Sequence, residues 1–245
     1  MQINDRFGAA AAFETVSLPD GTEAAVPTEH AAALYVNEQP AFRVVCTPEL
    51  LPQLGALSPN RLFVSPEANW EIDFTPWPAP TLQGGRPFAD GSVLGGAPAF
   101  LRWVEGELLP ALAAQFALNP AQNSVLGYSL GGLFALWAVC RCSSFFQCAC
   151  LSGSLWYPDW VDFLKEHTPK PPKRVYLSLG KKEEKSGPAV MRAVGDATRQ
   201  SAGLLAQSLG CESTVLEWNP GGHFATALPR WEKALAWLDF PQNNR

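Results

Sequence analysis

Long apolar runs are missing from this chain of 245 residues. A membrane-spanning helix needs roughly 18 consecutive apolar residues, and here the nearest stretches are broken by Gly, Ser, Arg or Pro. An excess of positive charge is missing too. The 18 Lys and Arg are outnumbered by 23 Asp and Glu, for a net charge of -5. A nucleic-acid partner is therefore not expected, because neutralising phosphates requires a basic surface. Charged residues make up only 17% of the chain against 47% hydrophobic, which excludes a disordered protein. The start lacks the apolar core of an export signal. Met1 to Phe13 offers one Arg, beside Asp5, and only the brief run Gly8 to Phe13. A cytoplasmic location is the expectation. With six cysteines in a chain of this length, disulfide staples are not needed for folding, and reduced core thiols are the default.

What is present is alternation. Ala41–Cys46, Arg61–Val64, Ser124–Gly127, Cys148–Leu151, Arg174–Leu179 and Ser213–Trp218 are short apolar runs of the kind that strands buried on both faces show. Helical patterns lie between them. Ala99 to Phe116 puts Phe100, Leu101, Val104, Leu108, Leu109, Leu112 and Phe116 on one stripe, with a bend expected at Pro110. A second helix should open at Pro188 and stop at Gly210, and a last one should run near Pro229 to Leu238. Strand and helix in turn predict an α/β fold, a mostly parallel central sheet with helices on both faces. The first forty residues are less regular and have room for leading antiparallel strands. Ser65 to Ala97 holds five prolines and five glycines and reads as a long loop, a lid or binding wall. No repeat or linker marks a boundary, so residues 1–245 read as one domain.

The strongest chemical signal is Gly127-Tyr128-Ser129-Leu130-Gly131-Gly132, which follows a strand and opens the helical run Leu133 to Val139. A serine between glycines at such a junction is held on a sharp turn that lifts its hydroxyl above the sheet edge. The bland reading is a glycine-rich turn; a phosphate loop would need a Lys after Gly132, and none is there. A serine hydroxyl needs a base, and the chain has three histidines. His30 precedes an Ala-rich segment and His167 lies in a polar run that looks like a solvated connection. His223, in Pro220-Gly221-Gly222-His223-Phe224, follows a strand late in the chain, where a Ser, acid, His order places the base. The acid belongs between them, on a loop after a strand. Glu183 is the choice and Glu184 its competitor, both in Lys181-Lys182-Glu183-Glu184-Lys185, which also has the look of a solvated turn.

These motifs, with Ser152-Gly153-Ser154-Leu155-Trp156, Leu177-Ser178-Leu179-Gly180, Asp73-Phe74-Thr75-Pro76-Trp77 and Gly95-Gly96-Ala97, resemble the putative esterase family of α/β-hydrolases. That family includes esterase D-like enzymes and the enterochelin (siderophore trilactone) esterases. The likeness covers roughly residues 60 to 240. It implies an α/β-hydrolase fold and a serine carboxylic ester hydrolase working through an acyl-serine on small esters, siderophore-like ones included. It implies Ser129 as nucleophile, His223 as base and, three places after Gly180, Glu183 as acid, where many members carry Asp and some manage with Ser and His alone. The first sixty residues match no element of the family.

The same constellation would serve an acyltransferase or a peptidase, and a binding protein could keep it as a relic. One oxyanion donor should be the amide of Leu130, at a helix N-terminus, with a second from Glu67 to Trp70, since Pro66 has no N–H. Hydrolysis should fall on acidification as the base takes up a proton, which for a free imidazole happens near ~6.5. Trp70, Phe74, Trp77, Trp156, Tyr157 and Trp160 follow strands and are candidates to wall a substrate pocket, with Trp70 and Trp156 singled out. Trp103, Trp218, Trp231 and Trp237 are expected in the core. Cys140, Cys142, Cys148 and Cys150 are spaced C-x-C, unlike a zinc knuckle, so neither a metal nor another cofactor is expected. Oligomeric state is not legible.

Overall fold

The computed structural model describes residues 13–17, 23–27, 41–46, 53–54, 57, 61–66, 68–79, 94–116, 123–225 and 227–239. Its strands are β1 (Phe13–Ser17), β2 (Glu23–Pro27), β3 (Ala41–Cys46), β4 (Arg61–Ser65), β5 (Ser124–Tyr128), β6 (Gln147–Leu151), β7 (Arg174–Gly180) and β8 (Thr214–Asn219). Its α-helices are α1 (Trp70–Asp73), α2 (Ala97–Trp103), α3 (Leu109–Phe116), α4 (Leu130–Arg141), α5 (Trp160–Glu166), α6 (Ala189–Arg192), α7 (Val194–Leu209) and α8 (Ala227–Asp239).

The eight strands form one sheet in the order β1-β2-β4-β3-β5-β6-β7-β8. β1–β2 and β2–β4 pair antiparallel, and every other pair is parallel. The direction of winding reverses around β3. From β3 the chain steps out to β4, then returns past β3 to β5 and continues the other way. Such switch points leave a crevice at the carboxyl ends of the strands.

Every residue of β5, β6 and β7 is buried. Alternation sorts their side chains onto two cores, because successive residues of a strand point to opposite faces. Val125, Cys148, Cys150, Val175 and Leu177 pack with Leu133, Phe134 and Trp137 of α4, Leu108 and Leu112 before and within α3, and Leu205 of α7. Leu126, Tyr128, Ala149, Leu151 and Tyr176 pack on the other face with Trp231, Ala234, Leu235 and Leu238 of α8. The fold is an α/β-hydrolase sheet covered on both sides.

Several expectations shift. The helix expected over 99–116 spans Ala97–Phe116 but carries a π turn at Val104–Leu108, where the Leu109 N–H bonds to Val104 O. Pro110 has no N–H for the preceding turn and its ring crowds the carbonyl four residues back, and a wider turn relieves both. The helix expected from 188 to 210 is two helices, meeting at Ala193, and Gly210 ends the second at φ 91°. The long loop contains α1, whose first turn is capped by the Asn69 side chain accepting from the Ile72 N–H. His167 is not a solvated connection: it caps the end of α5, its Nδ1 3.0 Å from Phe163 O and its ring stacked on Phe163 at 4.5 Å. His30 lies outside the described residues. Of the four tryptophans expected in the core, Trp231 is fully buried, whereas Trp103, Trp218 and Trp237 are half-buried.

Candidate active site

The elbow begins where β5 ends. Ser129 has φ 57° and ψ -122°, a conformation that side chains other than glycine adopt only at a cost of about 1–3 kcal/mol. The turn is held by the Ser129 N–H, which donates to Leu151 O, and by Ser129 O, which accepts from the Leu133 and Ser154 amides. Glycine at 127 is compulsory, because a Cβ there would lie 2.0 Å from the Gly131 carbonyl oxygen. Leu130 is the first residue of α4, so its amide has no partner within the helix. The Ser129 hydroxyl lies 3.4 Å from the hydroxyl of the buried Ser154.

Glu183 and His223 meet across the ends of β7 and β8. The turn after β7 is a 3₁₀ segment (Glu183–Lys185), and the Glu183 carboxylate points inward from it. Its Oε2 is 2.7 Å from His223 Nδ1. Its Oε1 accepts from the Gly180 N–H at 2.7 Å, Ser152 Oγ at 2.8 Å and Arg230 Nη1 at 2.9 Å. Burial pushes this carboxyl up, but the bonds from His223, the Gly180 amide and Ser152 outweigh it and hold the group below the usual carboxylate range. Glu184 points away to Arg199, at 2.7 Å. A carboxylate on Nδ1 favours the tautomer protonated there and leaves Nε2 free to accept a proton.

His223 sits against the elbow through Tyr128, the residue before Ser129. Their rings are 5.4 Å apart in a T-shaped arrangement, and the Tyr128 hydroxyl donates to His223 O. Burial raises the Tyr128 pKa, keeping the phenol a donor. Among the described residues no hydrogen bond joins Ser129 Oγ to the imidazole.

The six candidate aromatics divide. Phe74, Tyr157 and Trp160 are buried packing residues, Tyr157 Oη donating to Trp77 O at 2.5 Å and Trp160 Nε1 to Ser201 at 3.0 Å. Trp77 is half-buried, its Nε1 bonded to Pro158 O. All four pack on the core around α4, Phe74, Tyr157 and Trp160 within it and Trp77 against it. Trp156 is half-buried and Trp70 is 38% exposed. Of the segment expected to hold a second oxyanion donor, Asn69 spends its amide on Asp73 Oδ2 at 2.7 Å, and Glu67 lies outside the described residues. Ala68 and Trp70 remain. Sequence reasoning missed Arg230 and Ser152, which complete the shell around Glu183. The one signal for Arg230 is a charge on the apolar face of α8, beside Trp231 and one turn from Ala234.

Sheet order, strand-end elbow and carboxylate–imidazole pair together define an α/β-hydrolase. Residues 64–237 match the model of the family described as Putative esterase, and the chain belongs to that family of ester hydrolases. It is 25% identical over 229 residues, 91% of this chain and 88% of the other, to "Uncharacterized protein YbbA" of Bacillus subtilis (strain 168). Its fold is similar to that of an IroE-like serine hydrolase from Shewanella oneidensis, with a TM-score of 0.70 and 20% identity over 92% of this chain and 78% of that one. The siderophore hydrolase EstA from Aspergillus nidulans is also similar, with a TM-score of 0.66 and 17% identity over 97% of both chains. Among the described residues no helix is long and apolar enough to cross a membrane.

Proposed function

We propose that the protein hydrolyses small carboxylic esters through an acyl-serine intermediate, with Ser129 as nucleophile, His223 as general base and Glu183 as the acid that orients the imidazole. The 2.7 Å bond between His223 Nδ1 and Glu183 Oε2, at the strand-end rim that also carries the strained Ser129, supports this reading above all. Ser129 Oγ attacks the ester carbonyl as its proton passes to His223 Nε2. Nucleophile–base hydrogen bonds tighten as substrate arrives, and Ser129 starts from its contact with Ser154. The oxyanion is held by the Leu130 amide, whose position at the head of α4 suits negative charge, and by a second amide from Ala68 or Trp70. Collapse breaks the C–O bond, and the leaving alcohol takes the proton from His223. Water then attacks the acyl-serine as His223 Nε2 takes its proton, and the imidazolium passes that proton to Ser129 Oγ as the acyl C–O bond breaks.

Trp70 and Trp156 are assigned to substrate contact. The proteins of similar fold include some named as siderophore hydrolases, which favours siderophore-like esters within the small-ester class. The test is covalent and kinetic. A fluorophosphonate should label Ser129, and Ser129→Ala should lose labelling and nearly all turnover of 4-nitrophenyl acetate while melting like wild type. Wild-type turnover by Ser129→Ala would rule the mechanism out. A panel of acyl, aryl and trilactone esters would then rank substrates.

A further inference from the structure

Arg230 belongs to α8, far along the chain from the elbow, and its side chain is completely buried. A guanidinium stays charged at any working pH, so its burial calls for acceptors; among the described residues both terminal nitrogens find them and Nε does not. Nη1 donates to Glu183 Oε1 and Tyr128 OH, both at 2.9 Å, and to Ser152 Oγ; Nη2 donates to Gly222 O at 2.7 Å. These acceptors come from four different strand ends. Tyr128 closes β5 just before Ser129, Ser152 follows β6, Glu183 follows β7, and Gly222 follows β8 just before His223. The histidine loop is thus held by two successive carbonyls, Gly222 O by Arg230 and His223 O by Tyr128. None of these bonds goes to Ser129 Oγ or to the imidazole.

We propose that Arg230 is a positioning residue for the reaction: by gripping the far oxygen of Glu183 and the Gly222 carbonyl from one rigid fork, it sets the imidazole's place relative to the end of β5, with Tyr128 as its relay. This rests on the roles assigned above to Ser129, Glu183 and His223. Lysine cannot substitute, because a single ammonium cannot span acceptors that the planar fork reaches from two nitrogens. Among the described residues, the ionisable groups in contact with the imidazole are Glu183 at the β7 end and Tyr128 at the β5 end, and Arg230 of α8 is bonded to both.

The experiment uses the full chain with Arg230→Lys, Arg230→Met, Tyr128→Phe and Ser129→Ala, assayed on 4-nitrophenyl acetate. Active sites are counted by exhaustive fluorophosphonate labelling, so misfolded molecules do not enter kcat. Arg230→Lys should lower kcat per labelled site on the order of 10²-fold, the cost of displacing catalytic groups by about an ångström, with KM nearly unchanged because the side chain meets no substrate. Tyr128→Phe should lower kcat in the same direction but less. Arg230→Met, which removes both arms of the fork, should lower kcat per labelled site at least as far as Arg230→Lys does. If the arginine only stabilised the fold, Arg230→Lys and Tyr128→Phe would lower the melting temperature and leave kcat per labelled site at the wild-type value. That result overturns the proposal, and these two variants decide it if Arg230→Met does not fold. Wild-type turnover by Ser129→Ala would instead overturn the catalytic assignment on which the proposal rests.

Discussion

A carboxyl group as buried as Glu183 would ordinarily resist ionising, yet its bonds carry it the other way, below the usual range. The sign of the consequence follows. A carboxylate whose folded pKa is depressed contributes stability that is present above its unfolded value, ~4.3 for glutamate, and lost as pH falls through the lower folded value. Wild-type protein should therefore exceed Glu183→Gln in melting temperature by a constant margin above that point, and the margin should shrink on further acidification. Melts at successively lower pH check this, and a margin that widened toward acid would contradict the direction. At this scale the sequence was only partly legible. The sharp turn at Ser129 is legible because Gly127 has no room for a Cβ. Glu183 and Glu184 could not be told apart by type or neighbours. In a 3₁₀ turn adjacent residues are rotated by about 120°, so one carboxylate turns in to His223 while the next turns out to Arg199.

Helix α7 holds two glycines whose surroundings are opposite. A methyl at Gly203 would meet nothing within 4 Å, whereas one at Gly195 would stand 2.0 Å from Glu184 Oε2 and 2.7 Å from its Cβ. Gly203→Ala should stabilise the protein by about 0.5–1 kcal/mol, the ordinary gain of alanine over glycine in a helix interior. Gly195→Ala should destabilise it despite the same propensity gain, because Glu184 must move and its bond to Arg199 is lost. Denaturant unfolding of both variants gives the comparison, and equal shifts would mean that the crowding at 195 relaxes without cost. The elements themselves were legible wherever burial on both faces dictates an unbroken apolar run, as in β5, β6 and β7. Their joints were not. The π turn before Pro110 is marked in the sequence by that proline alone, and the break at Ala193 leaves the hydrophobic stripe intact, so no side-chain pattern records it. Another unrecorded device is the pair Lys173 and Arg174, adjacent in sequence yet capping helices on opposite faces of the sheet. Lys173 Nζ donates to Val139 O and Cys142 O at the end of α4, and Arg174 to Trp237 O and Leu238 O near the end of α8. Cations there satisfy terminal carbonyls and oppose the helix dipole.

Across the whole molecule, the site is a property of the assembled sheet. Arg230 is 102 positions from Tyr128, 78 from Ser152 and 47 from Glu183, and these residues adjoin only once β5 to β8 lie side by side with α8 packed beneath them. Local pattern reveals a motif whose parts are neighbours in sequence, as at the elbow; it has no means of revealing a cluster that topology alone assembles. The ion pair at its centre yields a prediction about the fold as a whole. Breaking a buried pair from one side strands the other charge and typically costs about 3–5 kcal/mol. Arg230→Met leaves the Glu183 carboxylate without its cation, and Glu183→Gln leaves a fully buried guanidinium facing a neutral amide. The double variant strands neither charge. It should consequently be less destabilised than the sum of the two single changes, by about 0.5–3 kcal/mol, the usual coupling of residues in one network. Denaturant unfolding of the four proteins closes the cycle. If the two effects simply add, Glu183 and Arg230 contribute independently to the fold, and the guanidinium owes its place to Gly222 and Tyr128 instead.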